Sequence, residues 1–266
     1  MELELKSVEF SVFDKRRKIS LPHTLNSNLA EDIGIQIGDG CLCRGKKDYT
    51  IICSFNAIED KYYVDNFVIP LKTKLFKNVN LIKNARFGEM RIKIGSKAIF
   101  DFYTKIIGLS FGKKDHVTIP KIIFRNKNNT IACLRGIIDT DFSISFKKRH
   151  KNIHYYPVIS ANFKSKELVI QLSKIFKDLG LKVHTEYDYE RFDERFGEII
   201  THYIYLKGKD NLEKWWDIIG SNNHRHITKY KIFKKFGYCP PRINITERFK
   251  MIKSGVSNNL FESYTQ

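Results

Sequence analysis

Two aspartates are placed so that they could do chemistry together. Asp39 and Asp141 close two similar segments, LAEDIGIQIGDG from Leu29 to Gly40 and IACLRGIIDTDF from Ile131 to Phe142. In register, Ala30 falls on Ala132, Gly34 on Gly136, Ile35 on Ile137 and Gly38 on Thr140. Paired carboxylates are hard oxygen donors of the kind that divalent cations take. The competing reading is two ordinary turn residues, since Asp-Gly favours turns. Duplication together with the small-residue spacing, in a strongly basic chain, favours the cation site.

The elements that must position these acids are two helices. Asn28 is placed to cap the first, with Glu31 three residues on as in a capping box, and Gly40 to end it in a left-handed conformation. The second is expected from about Thr130 to Asp141. Small residues at Gly34, Gly38, Gly136 and Thr140 allow closer approach than the usual ~8–10 Å between helix axes. If the copies are related by a pseudo-two-fold, helix meets helix and the acids end side by side. A carboxylate at a helix C-terminus opposes the macrodipole by about 0.3–1 kcal/mol, and two together repel. The same local violation made twice marks a functional site, and divalent cations would relieve it.

With 47 Lys and Arg against 29 Asp and Glu, the net charge of +18 gives a strongly positive field. Nucleic acid is the partner class this favours, ahead of an anionic membrane surface or lysines that serve only solubility. At 42% hydrophobic and 13% aromatic the chain is too apolar to be disordered. Five cysteines with no CxxC pair suggest neither a disulfide framework nor a zinc site, but reduced thiols in an intracellular, cytoplasmic or organellar protein. No apolar run of about 18 residues could span a bilayer, and MELELKSVEF does not read as a signal peptide.

Along the chain, residues 1–22 form an extension in which Val8, Phe10 and Val12 alternate like a strand. A first repeat spans 23–125. After its motif helix come a hairpin ending in Tyr49 to Phe55, a helix from Ile58 to Phe76 interrupted by Pro70, and a second hairpin over Val79 to Ile82 and Glu89 to Ile94. Met90, Ile92 and Ile94 face a core there, and Arg91 and Lys93 the other way. A helix from Lys97 ends in Lys105-Ile-Ile-Gly108. A second repeat spans 126–240, with strands at Ser143 to Lys147 and Ile153 to Phe163, a helix from Lys166 to Leu179 and a hairpin from Leu181 to Leu206. Its long charged loop is placed at Asp188 to Gly197, and a final helix closes with Asp217-Ile-Ile-Gly220. His224 and His226 suit surface or phosphate contact better than zinc, and Trp215 and Trp216 suit packing. Residues 241–266 form a basic, polar tail expected to leave the fold.

Aligned on their final acids, Asp32 to Gly40 (DIGIQIGDG) and Leu134 to Phe142 (LRGIIDTDF) resemble the paired motif of a monomeric, two-repeat LAGLIDADG homing endonuclease. The resemblance covers roughly residues 22 to 240, with Phe142 in place of the second closing glycine. It implies an α+β fold of two pseudo-two-fold-related αββαββα repeats, whose antiparallel sheets form a saddle on DNA and whose motif helices pack at the centre. It implies Mg²⁺ at two or more positions, with Mn²⁺ or Ca²⁺ able to substitute in binding. The implied ligands are Asp39, Asp141 and the carbonyls of Gly38 and Thr140, and the implied catalytic lysines are Lys229 and Lys114. The reaction implied is double-strand cleavage leaving short 3′ overhangs at a long, asymmetric DNA site, with intron RNA as a further partner. A non-cleaving descendant, an RNA maturase or DNA-binding regulator, is the alternative; retention of both acids favours cutting. Expected DNA contacts are Arg44, Lys46, Lys47, Arg91, Lys93, Lys147, Lys148, Arg149, Arg191 and Arg195. Ser54, Asn56, Asn162 and Lys164 are placed to order water. The chain lacks intein-like ends, so a free-standing, intron-encoded enzyme is expected.

Overall fold

In the computed structural model, residues 1–254 other than 47, 195 and 196 are described. In chain order the helices are α1 (Val12–Arg17), α2 (Ser27–Ile37), α3 (Lys61–Tyr63), α4 (Ile69–Leu75), α5 (Lys97–Asp101), α6 (Lys127–Asp141), α7 (Lys166–Asp178), α8 (Lys209–Ile218), α9 (His224–Phe236) and α10 (Ile245–Ser254). The strands are β1 (Gly40–Arg44), β2 (Tyr49–Asn56), β3 (Leu81–Arg86), β4 (Glu89–Gly95), β5 (Ser143–Lys147), β6 (Tyr156–Phe163), β7 (Val183–Asp193) and β8 (Gly197–Lys207). They form two antiparallel sheets with matching orders, β1-β2-β4-β3 and β5-β6-β8-β7. This is the two-repeat α+β architecture expected. α3 and α4 are joined through a π turn at Val64–Val68, so the helix expected around Pro70 is continuous from 61 to 75.

Each sheet buries one face. Met90, Ile92 and Ile94 of β4 are at most 2% exposed, while Arg91 and Lys93 between them lie in solvent. A period-2 pattern can do this only where one side packs on helices. In the second sheet Ile144, Phe146, Ile159 and Ala161 turn inward by the same rule.

At the centre α2 packs against α6. A Cβ built at Gly34 would collide with the Cys133 carbonyl oxygen and stand 3.0 Å from its carbon. One at Gly136 would collide with the Glu31 carbonyl and stand 2.8 Å from the Ile35 nitrogen. The contacts are reciprocal, as a pseudo-two-fold requires. Thr140 packs over Gly38 and donates its hydroxyl back to Gly136 O at 2.9 Å and Ile137 O at 3.0 Å. Above them the Arg135 guanidinium donates two bonds of 3.1 Å to the Glu31 carboxylate across the interface. Lys72 and Tyr103 both bind the fully buried Asp32, Lys72 at 2.7 Å, and join α2 to the rest of its own repeat.

Several boundaries differ from the sequence reading. Asn26, not Asn28, caps α2, accepting from Leu29 N at 3.0 Å. Asn126 caps α6, which begins at Lys127, three residues before the expected start. Gly40 is not a left-handed stop: α2 ends at Gly38 (φ −71°) and Gly40 already belongs to β1. A Cβ there would strike the Gln36 carbonyl oxygen as well as its side chain. Phe142 takes the matching place in extended conformation and buries its ring against Phe163 and Phe176. The long loop after Asp188 is mostly strand, since β7 runs to Asp193 past an irregularity between Glu186 and Tyr189.

The N-terminal segment holds no strand at Val8 to Val12. It bridges Glu2 to Thr24, places Leu3, Ile19 and Leu21 in the main core, and forms α1 with a Ser11–Asp14 capping box. Asp14 also accepts from Ser96 Oγ at 2.7 Å and Ala98 N at 3.2 Å. Residues 241–254 do not leave the fold either. Arg248, 2% exposed, donates to Thr228 of the second repeat and to the carbonyl of Ile243 in its own segment, and pairs with Glu59 of the first repeat.

Replacing Gly34 by alanine is expected to lower unfolding free energy by about 1–3 kcal/mol, the usual range for overpacking. Gly45→Ala, whose Cβ would stand 3.6 Å from the nearest side chain, is expected to change it little. Urea midpoints of the two variants check this.

Candidate active site

Asp39 and Asp141 each stand where a central helix hands over to the first strand of its sheet. The Asp39 carbonyl accepts from Ser54 N at 3.1 Å, which fixes the start of β1 against β2. In the other repeat Phe142 N still bonds Ile138 O at 3.2 Å before β5 begins. Because Gly38 has no side chain, the Asp141 carboxylate lies across the interface, 2.8 Å from where a Gly38 Cβ would be. Both aspartates are half-buried. Burial first, then the negative charges of Asp141 and Asp60, hold the Asp39 carboxyl well above the ordinary range. Burial pushes Asp141 up to about 6, against the pull of Lys114 and Arg225.

The carbonyls expected as metal ligands already face cations. Lys114 Nζ donates to Ile37 O at 2.8 Å and to Gly38 O. In the other repeat Arg225 Nη2 donates to Thr140 O at 3.1 Å and to the carbonyls of Asp139 and Phe142 at 3.3 Å each. So Lys114 has a counterpart, but it is Arg225. Lys229 lies farther along α9, donating to Ile144 O at 2.8 Å in a cleft shared with Cys239, Arg242 and Arg248. Burial, then the Arg248 and Arg225 charges, lower it to about 8. The signal for Arg225 was in the sequence: Lys114 stands six residues beyond Gly108 and Arg225 five beyond Gly220.

Two polar groups near the acids, Asp60 and Asp139, escaped the sequence reading, and a third, His226, stands elsewhere than it expected. Asp60, 3% exposed at the start of α3, accepts from Asn223 Nδ2 at 2.8 Å and Asn56 N at 3.0 Å, with Arg225 Nη1 at 3.6 Å. Asp139 is fully buried, accepts from Ser221 Oγ and from Asn222 N at 2.8 Å, and is pushed by burial up to about 7. His226 is also fully buried, its Nε2 3.0 Å from Phe142 O and its Nδ1 3.5 Å from Asp139. It is a structural histidine, not the surface group expected, because α9 packs its first turn onto the end of α6. Trp215 is core and Trp216 stacks on Tyr230 at 3.9 Å, as packing predicts.

A cavity of about 620 Å³ opens over Asp141, lined by Gly38, Lys114, Asn162 and Lys164 among others. Among the described residues no three His, Cys, Asp or Glu side chains form a metal-holding group. The groups here that could hold a cation are two carboxylates and backbone carbonyls, beside a cavity with room for water and a phosphate. That suits Mg²⁺, which keeps several waters and binds through one or two carboxylates plus substrate phosphate.

The outward faces of the sheets carry several expected DNA contacts. Arg91 and Lys93 project from β4, on the face shared with Ser54 and Ile52 by register. Lys147 ends β5 opposite Tyr156, Lys148 binds Asn152 at 2.7 Å, and Arg149 lies 4.7 Å from the Tyr156 ring centroid. Arg191 is exposed on β7 opposite Ile199, and Lys46 is exposed in the β1–β2 turn. Arg44 falls on the core-facing alternation of β1, past the core's edge, over the Tyr49 ring. Lys47 and Arg195 lie outside the described residues. The second sheet adds a feature the basic-residue reading passed over: Tyr203 and Tyr205 stack at 5.9 Å, with Tyr189 edge-on to Tyr203 at 5.4 Å.

The raised pKa of Asp141 fixes a pH dependence. Between the unfolded value near 4 and the folded value of about 6, the folded chain holds a proton that the unfolded chain has released. Metal-free stability is thus expected to gain from this group as pH falls from 7 through 6. Urea midpoints at the two pH values, compared between the wild type and Asp141→Asn, should show a smaller acid-side gain in the variant.

No protein-family model matches the sequence, and no curated protein matches it. Solved structures do. I-DmoI in complex with DNA and Ca matches at 16% identity with a TM-score of 0.50, covering 73% of this chain and 88% of that one. I-DmoI in complex with DNA and Mn matches at 15% identity and a TM-score of 0.50, over 73% and 96%. The LAGLIDADG homing endonuclease I-GzeII in complex with its DNA target matches at 12% identity and a TM-score of 0.49, over 91% and 100%. With its two antiparallel sheets of matching order around paired central helices, the chain has the fold of the LAGLIDADG homing endonucleases.

Proposed function

We propose that this protein is a LAGLIDADG homing endonuclease, a site-specific, Mg²⁺-dependent nuclease that cuts both strands of a long, asymmetric duplex site as a monomer and leaves short 3′ overhangs. The observation that carries the reading is the meeting of Asp39 and Asp141 at two helix ends, beside carbonyls that each already hold a cation. A binding module gains nothing from two carboxylates brought together where burial raises both and the Asp141 charge raises Asp39 further. The similar solved structures hold DNA with Ca or Mn, which supports a divalent-metal site in the same fold.

Asp39 and Asp141, with the carbonyls of Gly38 and Thr140, would hold Mg²⁺. The ions would supply an activated water and neutralise charge on the phosphate and the leaving 3′ oxygen. The chain's own residues do the rest. Lys114 presents an ammonium over the cavity that can neutralise phosphate charge and move a proton. Arg225, which cannot be deprotonated, serves charge alone in its half. Asn162 and Lys164 line the cavity over Asp141 and orient water there; in the other half Ser54 lies against Asp39 through its backbone N–H, while the Asn56 side chain is taken up by the Ile58 and Glu59 N–H groups. The side chains of Arg91, Lys93, Lys147 and Arg191 meet the duplex, and the tyrosines of β7 and β8 offer flat amphipathic contacts to it.

The protein should be incubated with Mg²⁺ and a randomised or genomic duplex library and the new ends sequenced. Specific breaks with 3′ overhangs are expected, with Asp39→Asn or Asp141→Asn slowing cleavage by at least about a hundredfold while binding persists. Duplex binding by the intact protein without breaks would point instead to a non-cleaving regulator or maturase.

A further inference from the structure

Two of the five cysteines form a pair that the reaction does not use. Cys41 and Cys43 lie two residues apart on β1, so their side chains leave the same face, and their sulfurs are 3.3 Å apart. That face is the outward one: Cys41 is in register with Ile52, Ile52 with Lys93, and Cys43 with Thr50. Both are half-buried, whereas Cys53, Cys133 and Cys239 are at most 3% exposed. Solvent-borne reagents therefore reach one pair of thiols and no others.

We propose that Cys41 and Cys43 form a reversible disulfide that switches the outward face of the first sheet between a DNA-accepting and a DNA-refusing state. The second half rests on the nuclease reading above; the first does not. The oxidant is a low-molecular-weight disulfide of the glutathione type. One thiolate attacks it, forming a mixed disulfide and releasing one small thiolate. The second cysteine thiolate then attacks the protein sulfur of that mixed disulfide and expels the other small thiolate. Two protons from the cysteines pass to the two released thiolates, and the two electrons leave with them.

Geometry sets both the ease and the consequence. The sulfurs need to close from 3.3 Å to about 2.05 Å. The Cα atoms of alternate strand residues stand about 6.6 Å apart, near the upper limit for a disulfide of about 6.8 Å. That span lies inside the allowed range but close to its limit, so the bond can close on the extended strand and then pulls on β1 against its register with β2. The segment it spans begins two residues after Asp39. A bond under such strain is readily reduced, as a switch in a thiol-rich compartment requires. Burial and the neighbouring Cys41 thiol hold the Cys43 proton in place, so exchange at neutral pH is slow.

The full chain should be treated with oxidised glutathione at about pH 8.5, near the ordinary cysteine pKa, and its mass and native free-thiol content measured. The expected result is a loss of about 2 Da and of two thiols, mapped to a single segment holding residues 41 and 43, absent in Cys43→Ser and reversed by dithiothreitol. Persistent mixed disulfides, or reaction at Cys53, Cys133 or Cys239, would overturn the pair. The oxidised protein should bind a duplex library about tenfold more weakly than the reduced protein. Equal binding with the disulfide in place overturns the switch. A reduced protein that binds no duplex overturns the nuclease reading and leaves the thiol result standing.

Discussion

Everything at the centre depends on two helices approaching until backbone touches backbone. Gly34 lies on the Cys133 carbonyl and Gly136 on the Glu31 carbonyl, and neither position has space for a methyl group. That contact fixes the relation between the repeats, because each sheet is tied to its own central helix through the strand that follows directly: β1 after α2 and β5 after α6. It also fixes the distance between the acids, which sit one turn farther along, with Gly38 leaving space for the Asp141 carboxylate. The Glu31–Arg135 pair and the C-terminal Arg248–Glu59 pair span the same interface at other points and hold the halves in one register.

The electrostatics of this junction are unfavourable by construction. Two helix C-termini, each carrying partial negative charge, converge with two carboxylates at their tips. Asp60 adds further negative charge beside Asp39. The chain offsets part of this with Lys114 on the Gly38 carbonyl and Arg225 on the Thr140 carbonyl. These cations lie beside the positions a metal would take, so the halves are poised for positive charge without being closed to it. The halves are not chemically alike: one has a lysine and the cavity over Asp141, the other an arginine already bound to three carbonyls, with Asp60 beside it.

Much of this was legible in the sequence, and the rest was hidden for physical reasons. The duplication, the inward and outward faces of β4 and the turn glycines Gly108 and Gly220 follow from local rules, and the structure has them. The strand after Asp39 confounded the expected stop at Gly40, because a helix can pass straight into an extended strand without a left-handed residue; Phe142 then fits without distortion. Asp60 was missed and His226 was read as a surface group because each acts through contacts more than 80 residues away in sequence, which periodicity does not report; for Arg225 only the spacing from Gly220 carried a signal. Residues 1–22 read as a strand-like extension and 241–254 as a polar tail, yet Leu3, Leu21, Ile243 and Arg248 are buried against segments that only the tertiary fold supplies.

The central claim is that Asp39 and Asp141 are held together against their own repulsion for the sake of a divalent cation. It is tested most directly by thermal unfolding of the DNA-free protein in chelator and in excess Ca²⁺. In chelator the double variant Asp39→Asn/Asp141→Asn should melt a few degrees above wild type, at about 2–4 °C per kcal/mol of repulsion removed. In Ca²⁺ the wild type should gain up to about 2.7 kcal/mol at a hundredfold excess over Kd, and the double variant nothing. A double variant less stable than wild type in chelator, or one that still responds to Ca²⁺, would contradict the account.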